Sequence, residues 1–169
     1  MGYRLSLLIA LVLGLAACGA APVAAPRVAA APTSALPAVT LATLDGEPAD
    51  VARVARGRVA LVSLWATWCE ACQKEMDSLN RLDAKTGADA VVIGVAVGEN
   101  REKVADFARH RGLRYVQLVD ADFAFADAIG QRRLPATLVV DRQGRIVFRG
   151  EAIDARSLDA LRRAIAGTL

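Results

Sequence analysis

Apolar and polar residues alternate in blocks over most of the chain. Arg58 to Ala66 ("RVALVSLWA") and Ala90 to Val97 ("AVVIGVAV") are nearly unbroken apolar runs, as is typical of strands buried on both faces of a sheet. Between them, apolar residues recur at 72, 76, 79 and 82, which predicts a helix over 70–85 that Gly87 ends. The pattern therefore predicts a strand, a helix and a second strand.

The same blocks continue on both sides. A strand is predicted to enter a turn at Asp45-Gly46, and a helix capped by Asn100 and closed by Gly112 has Val104, Phe107 and Ala108 inward. A strand at 115–119 and a helix at 123–130 follow. Strands at 136–141 and 145–150 are joined by a hairpin at 142–144, and the last helix, at 155–166, has Leu158, Leu161 and Ile165 on one face. Strands that alternate with helices and finish in a hairpin predict an α/β fold with a mixed sheet.

Another apolar run lies at the N-terminus, from Leu5 to Ala17 after Arg4. It is shorter than the roughly 20 residues that a membrane-spanning helix needs, and its pattern is typical of a secretory signal. It ends in "LAAC", which resembles the bacterial lipobox. We therefore expect a lipoprotein signal peptide over 1–17 and a lipid on Cys18. An ordinary signal peptide, with Cys18 incidental, is the alternative.

Residues 18–37 are dominated by Ala and Pro, with prolines at 22, 26, 32 and 37. This composition predicts a partly extended tether. Residues 38–169 are enough for one domain with a single core.

The charge balance bears on whether the chain binds nucleic acid. The chain has 21 basic and 18 acidic residues, a formal net charge of +3. Loss of Arg4 with the signal leaves 20 basic residues and a net charge of +2. Without a basic tract, this balance does not favour a nucleic-acid partner.

Two of the three cysteines, Cys69 and Cys72, stand in "LWATWCEACQKEM". They lie where the predicted strand ends and the helix begins. A helix N-terminus offers free N–H groups and a partial positive charge, which favour the thiolate that attacks disulfides. The spacing lets Cys72 attack a mixed disulfide formed by Cys69, so a redox pair is predicted. A zinc site, with one histidine in the chain, and a structural disulfide closing a short loop are the weaker alternatives.

"WATWCEAC" with Glu75, followed later by "RLPATLVVDRQGRIVFRG", resembles the thioredoxin superfamily, and within it the TlpA/ResA-like membrane-anchored thiol–disulfide oxidoreductases. The resemblance covers about 36–169. It implies a thioredoxin-like α/β fold whose mixed central sheet is flanked by helices on both faces, with a strand-helix insertion at 90–112. It also implies that Cys69 attacks, that Cys72 resolves, and that the two form a redox-active disulfide.

The resemblance assigns supporting residues as well. Trp68 matches an aromatic that flanks the site, and Pro135 matches a cis-proline that packs against the disulfide. The backbone of Leu134 would then pair with a substrate strand. Glu75 matches an acid near the buried thiol. Ala71 stands where many relatives have Pro, so the reduction potential does not carry over from them.

The function implied by the resemblance is reduction of particular disulfides in bacterial envelope proteins, such as apocytochrome c or a copper-site subunit. Electrons would come from a membrane thiol transporter, and neither cofactor nor metal would take part. We expect a monomer that faces the periplasm from a lipid anchor, in the inner or the outer membrane. A disulfide-donating oxidase is the alternative in the same class.

Two alternatives belong to other classes. A copper-binding module would add a histidine to the cysteines, but His110, the only histidine, is predicted on the solvent side of its helix. A peroxiredoxin-type peroxidase needs a Thr three residues before its reactive Cys, where this chain has Ala66. Arg132 and Arg133 near Pro135 are either ordinary surface charge or a means of steering an acidic partner.

Overall fold

The computed structural model describes residues 34–168. They form an eight-stranded mixed sheet in the order β1-β8-β7-β4-β5-β6-β2-β3. The strands are β1 (Ser34–Ala35), β2 (Leu41–Thr43), β3 (Pro48–Ala49), β4 (Val59–Trp65), β5 (Ala90–Val97), β6 (Val116–Asp120), β7 (Ala136–Val140) and β8 (Arg145–Gly150). The helices are α1 (Val51–Ala55), α2 (Glu70–Thr86), α3 (Arg101–His110), α4 (Ala124–Ala128) and α5 (Ala155–Ala166).

The centre of the sheet is β4, whose seven residues are all buried. It pairs in parallel with β5 and antiparallel with β7. Strands covered on both faces consist almost entirely of apolar residues, which is why the nearly unbroken apolar runs of β4 and β5 predicted them correctly.

Different helices cover the two faces of the sheet. Ala60, Val62 and Leu64 of β4 belong to the core that α1 and α4 cover. Val59 and Leu61, on the opposite face, pack with residues of α2 and α5. The predicted α/β fold, a mixed sheet with helices on both faces, is confirmed.

The structured region begins earlier than the sequence predicted. Ser34 and Ala35, assigned to the tether, pair with β8 as an edge strand, and the Leu36 N–H donates to the carbonyl of Gly144 at 2.9 Å. These are backbone bonds, which an Ala/Pro-rich composition does not reveal. The predicted signal peptide and Cys18 lie outside the described residues. No helix in the described part of the chain has the length and apolar character needed to span a bilayer.

Residues 90–112, predicted as a strand and a helix, form β5 and α3, with Asn100 as the N-cap of α3. Because β4, β5 and β6 are parallel, they all end at one edge of the sheet. We call this the carboxyl edge; it carries the segments 66–69, 98–100 and 121–123. The cysteines lie there.

Candidate redox site

Cys69 and Cys72 lie at the start of α2 and are joined by a disulfide. Cys69 is the N-cap, and its sulfur accepts a hydrogen bond from the Cys72 N–H at 3.2 Å. Cys69 is 6% exposed and Cys72 is 2% exposed. Both cysteines are therefore buried in this disulfide form, and Cys69 is slightly the more exposed of the two.

The two tryptophans differ in their surroundings. Trp68 is 67% exposed beside Cys69, which leaves its ring free to contact a partner. Trp65 is buried, and its indole N–H donates to Gln117 Oε1 at 3.1 Å. Trp65 therefore belongs to the packing beneath the site.

Pro135 begins the segment that enters β7, the strand next to β4. The Leu134–Pro135 peptide bond is cis, as the resemblance implied. Leu134 packs against the cluster that contains both cysteines. Arg132 pairs with Asp127 at 3.0 Å, and Arg133 is exposed.

Glu75 lies one turn after Cys72 on α2. Its Oε1 accepts the Ile153 N–H at 3.0 Å, whereas its Oε2 is buried without a hydrogen-bond partner among residues 34–168. Burial raises the pKa of this carboxyl group, the Ile153 hydrogen bond opposes that shift, and the charge of Asp154 adds to it. The Glu75 carboxyl group is therefore less readily ionised than a carboxyl group in water.

A row of small and polar residues crosses the sheet on the face that α2 covers. The strand registers place Thr137, Ser63, Gly94 and Gln117 side by side on β7, β4, β5 and β6. At Gly94 an added Cβ would lie 2.4 Å from Gln117 Oε1, so the glycine makes room for the Gln117 bond to Trp65. The sequence did not predict this row, because it depends on strand register.

The segment before Cys69 is held by Glu99, a buried acid that follows β5. Its carboxylate accepts the Thr67 N–H at 2.6 Å, the Thr67 hydroxyl at 2.5 Å and Lys103 Nζ at 2.6 Å. Gln73 Nε2 donates to the Thr67 carbonyl at 2.7 Å. Burial alone would raise the pKa of Glu99, but the hydrogen bonds from Lys103 and Thr67 outweigh it and lower the pKa.

Sequence reasoning missed Glu99. An acid between a buried strand and the Asn100 cap was the available signal, but the contact with Thr67 spans 32 residues. His110 is exposed on α3, as predicted, and its Nδ1 lies 2.7 Å from the Asp106 carbonyl oxygen.

The position of the Cys69–Cys72 disulfide at the start of α2 agrees with the sequence resemblance. The Redoxin family model matches residues 31–164. The chain belongs to the Redoxin family. Its fold is that of the thioredoxin superfamily, as the sequence motif implied.

Two proteins similar in sequence to this chain are named for thiol–disulfide exchange. The chain is 32% identical over 94 residues to the thiol-disulfide oxidoreductase ResA of Geobacillus thermodenitrificans, covering 54% of this chain and 53% of that protein. It is 32% identical over 117 residues to the thiol:disulfide interchange protein DsbE of Yersinia pestis, covering 68% and 61%. The match thus spans little more than half the length of the ResA relative.

Solved structures share the fold. A secreted Mycobacterium tuberculosis disulfide oxidoreductase matches with a TM-score of 0.62 and 25% identity, over 76% of this chain and 95% of that one. A secreted thiol-disulfide isomerase from Corynebacterium glutamicum matches with a TM-score of 0.68 and 24% identity, over 78% and 85%.

Proposed function

We propose that this Redoxin-family protein is a thiol–disulfide oxidoreductase that reduces particular disulfides in bacterial envelope proteins. The observation that carries the proposal is the Cys69–Cys72 disulfide at the first turn of α2. The N–H groups and partial positive charge of a helix N-terminus stabilise a thiolate. The names of the ResA and DsbE relatives support the same chemistry.

In the proposed reaction, the Cys69 thiolate attacks one sulfur of the partner's disulfide. The partner's S–S bond breaks, and its other sulfur leaves as a thiolate. Cys72, as a thiolate, then attacks the Cys69 sulfur of the mixed disulfide and releases the second partner sulfur. The partner gains two electrons and the two protons that the Cys69 and Cys72 thiols lose on forming thiolates, and the Cys69–Cys72 disulfide forms. No group beyond the two cysteines is needed to balance this exchange.

Two neighbours of the disulfide would help to bind the partner. The exposed Trp68 offers an aromatic surface next to Cys69. Leu134, before the cis bond to Pro135, would pair its backbone with an extended segment of the partner. Backbone pairing does not depend on the partner's side chains, so recognition of particular partners needs additional contacts.

We further propose that the protein is held at a membrane of the bacterial envelope by a lipid on Cys18 and faces the periplasm. A membrane thiol transporter would return electrons to Cys69 and Cys72, and partners of the apocytochrome c or copper-site type would receive them. Support comes from the lipobox-like "LAAC" and the Ala/Pro-rich residues that follow it.

Trapping tests the redox proposal. In cells that make the Cys72→Ser variant, Cys69 should accumulate in mixed disulfides that mass spectrometry identifies after non-reducing purification. The control is a variant in which both Cys69 and Cys72 are Ser. If the single variant retains no protein that the double variant lacks, the proposed reaction is wrong.

The anchor has a separate test. The mature wild-type protein should partition with membranes and begin at an acylated Cys18, whereas Cys18→Ser should give a soluble protein or an unprocessed precursor. A soluble wild-type protein that begins at another residue would contradict the anchor and leave the redox proposal intact.

A further inference from the structure

Phe123 presents an aromatic ring to solvent at the carboxyl edge. It is 50% exposed, and its backbone is left-handed, with φ 64 and ψ 14. Residues with a bulky side chain are rarely found in this region of backbone conformation, because it is sterically unfavourable for them. The following turn is fixed by Asp120, whose buried carboxylate accepts the Phe125 and Ala126 N–H groups at 3.1 and 2.9 Å. The exposed ring is therefore held in place by the fold.

The Phe123 ring packs against the backbone of Gly98. A Cβ added to Gly98 would come within 2.2 Å of Phe123 Cζ, and Gly98 itself has φ 70. The absence of a side chain at Gly98 thus lets the ring lie against the backbone at the end of β5. One side of the ring is supported in this way while half of its surface stays open to solvent.

The ring lies on the same edge of the sheet as Cys69. The segments that follow β4, β5 and β6 are neighbours there, and adjacent strands are about 4.8 Å apart. The Phe123 segment is therefore on the order of 10 Å from the segment that leads to Cys69. Glu99 connects them, because it follows Gly98 and binds Thr67. Pro135 lies on the opposite side of β4, at the start of β7.

Large exposed apolar residues are few in the part of the chain that the structure describes: Trp68, Phe123 and Val116. The first two lie at the carboxyl edge, whereas Val116, 38% exposed, begins β6 at the far end. An extended peptide advances about 3.3 Å per residue, so three to five residues would reach from Cys69 to Phe123. A single ring covers far less area than a stable protein dimer requires.

We propose that Phe123 is a specificity-determining contact for the polypeptide that reacts with Cys69. It receives an apolar side chain located three to five residues from the partner's reacting cysteine. This inference rests on the proposed redox function, and it adds a preference that backbone pairing at Leu134 does not provide. A partner with polar residues at that distance loses the contact and reacts more slowly.

Matched peptides test the contact. Each peptide has one cysteine, activated as a mixed disulfide with thionitrobenzoate. One peptide has Leu at the third to fifth positions on both sides of the cysteine, and the other has Ser there. The full chain is used in reduced form, with Cys18→Ser in every sample so that only Cys69 and Cys72 react. The measured quantity is the ratio of the second-order rates of thionitrobenzoate release for the Leu and Ser peptides.

The wild type should favour the Leu peptide by about fivefold, a modest factor because the ring can cover only part of a leucine side chain. Phe123→Asn, which tolerates the left-handed backbone, should lower the ratio to below about twofold. Phe123→Tyr should keep the wild-type ratio, and so should Val116→Asn, the control at the far end of β6.

The outcomes that overturn the inference differ from those that overturn the proposed function. Equal rates for the two peptides with the wild type, an unchanged ratio in Phe123→Asn, or an equal loss in Val116→Asn would each refute the role of Phe123 while leaving the redox reaction in place. No thionitrobenzoate release from either peptide with the wild type would refute the redox function and the Phe123 contact together.

Discussion

Glu99 binds both the N–H and the hydroxyl of Thr67, at 2.6 and 2.5 Å. Thr67 is two residues before Cys69, and Glu99 follows the neighbouring strand β5. The contact joins two adjacent segments of the carboxyl edge, so the position of the cysteine is linked to the strand beside it. Because Lys103 pairs with the same carboxylate, the acid stays ionised although it is buried.

Glu99→Gln should therefore lower the free energy of unfolding at neutral pH by about 1 to 3 kcal/mol, because hydrogen bonds to a charged, buried acceptor are replaced by weaker ones. The loss should depend on pH. The pKa of Glu99 is lowered below its ordinary value of 4.5, so the contribution is complete above that value and disappears as the pH falls through the folded-state pKa. Urea denaturation across pH 3 to 7 measures it.

The matched control for this substitution is Glu102→Gln. Glu102 lies three residues further along, is exposed and, among residues 34–168, forms its one salt bridge with the half-buried Arg101. Such surface pairs contribute little, so this variant should remain close to wild type. Equal losses in both variants, or a pH-independent loss in Glu99→Gln, would contradict the assigned role of Glu99.

The two thiols should differ in reactivity once the disulfide is reduced. We expect iodoacetamide to alkylate Cys69 at least about ten times faster than Cys72, because Cys69 is at the helix N-terminus, where a thiolate is favoured, and Cys72 is almost fully buried. Peptide mass mapping of partly alkylated protein, with Cys18→Ser, measures the two rates. The rates should become equal in denaturant; equal rates in the folded protein would argue against the assigned roles.

The hydroxyl of Thr137 is the third testable feature. It is fully buried and has no hydrogen-bond partner among residues 34–168. An unpaired buried hydroxyl costs free energy, and Val has nearly the same shape. Thr137→Val should therefore leave the free energy of unfolding unchanged or raise it by up to about 1 kcal/mol.

Ser157→Ala is the comparison for Thr137→Val. Ser157 is also fully buried, but it forms a capping box with Asp154 at the start of α5. This variant should lose about 1 kcal/mol, because the Asp154 N–H loses the hydrogen bond that the Ser157 hydroxyl accepts. A loss of similar size in Thr137→Val would show that the Thr137 hydroxyl has a bonding partner after all.

The sequence predicted the elements that have a strong local pattern. β4 and β5 are continuous apolar runs, and α2 has a 3.6-residue stripe, so their burial could be inferred directly. α1 (Val51–Ala55) was missed because five residues are too few to show helical periodicity, even though Asp50 caps it through the Arg53 N–H.

The site was predictable to a similar extent. Cys69 and Cys72 are three residues apart, so a local motif identifies them. The contacts of Glu99 with Thr67, and of Phe123 with Gly98, join residues that are far apart in sequence. They arise from the parallel order of β4, β5 and β6, which brings the ends of distant strands together, and no local pattern encodes that order.

The last prediction concerns the direction of electron flow, and it depends on Glu75. A negative charge one turn beyond Cys72 raises the pKa of a nearby thiolate. This destabilises the reduced form and makes the pair a better reductant. We expect a reduction potential below roughly −200 mV, on the reducing side of protein disulfide isomerase, as measured by equilibration with dithiothreitol or glutathione buffers.

Glu75→Gln removes that charge and should raise the potential by on the order of 10 to 30 mV, since 30 mV corresponds to about 1.4 kcal/mol for two electrons. The pKa of Glu75 is raised by burial, so the wild type and this variant should converge as the pH falls through that raised pKa and the carboxylate becomes protonated. Asp77→Asn, an exposed acid on the same helix, should leave the potential nearly unchanged. A wild-type potential close to the −120 mV or so of DsbA would instead favour a disulfide-donating oxidase. A Glu75→Gln potential equal to that of the wild type would show that Glu75 does not set the reduction potential.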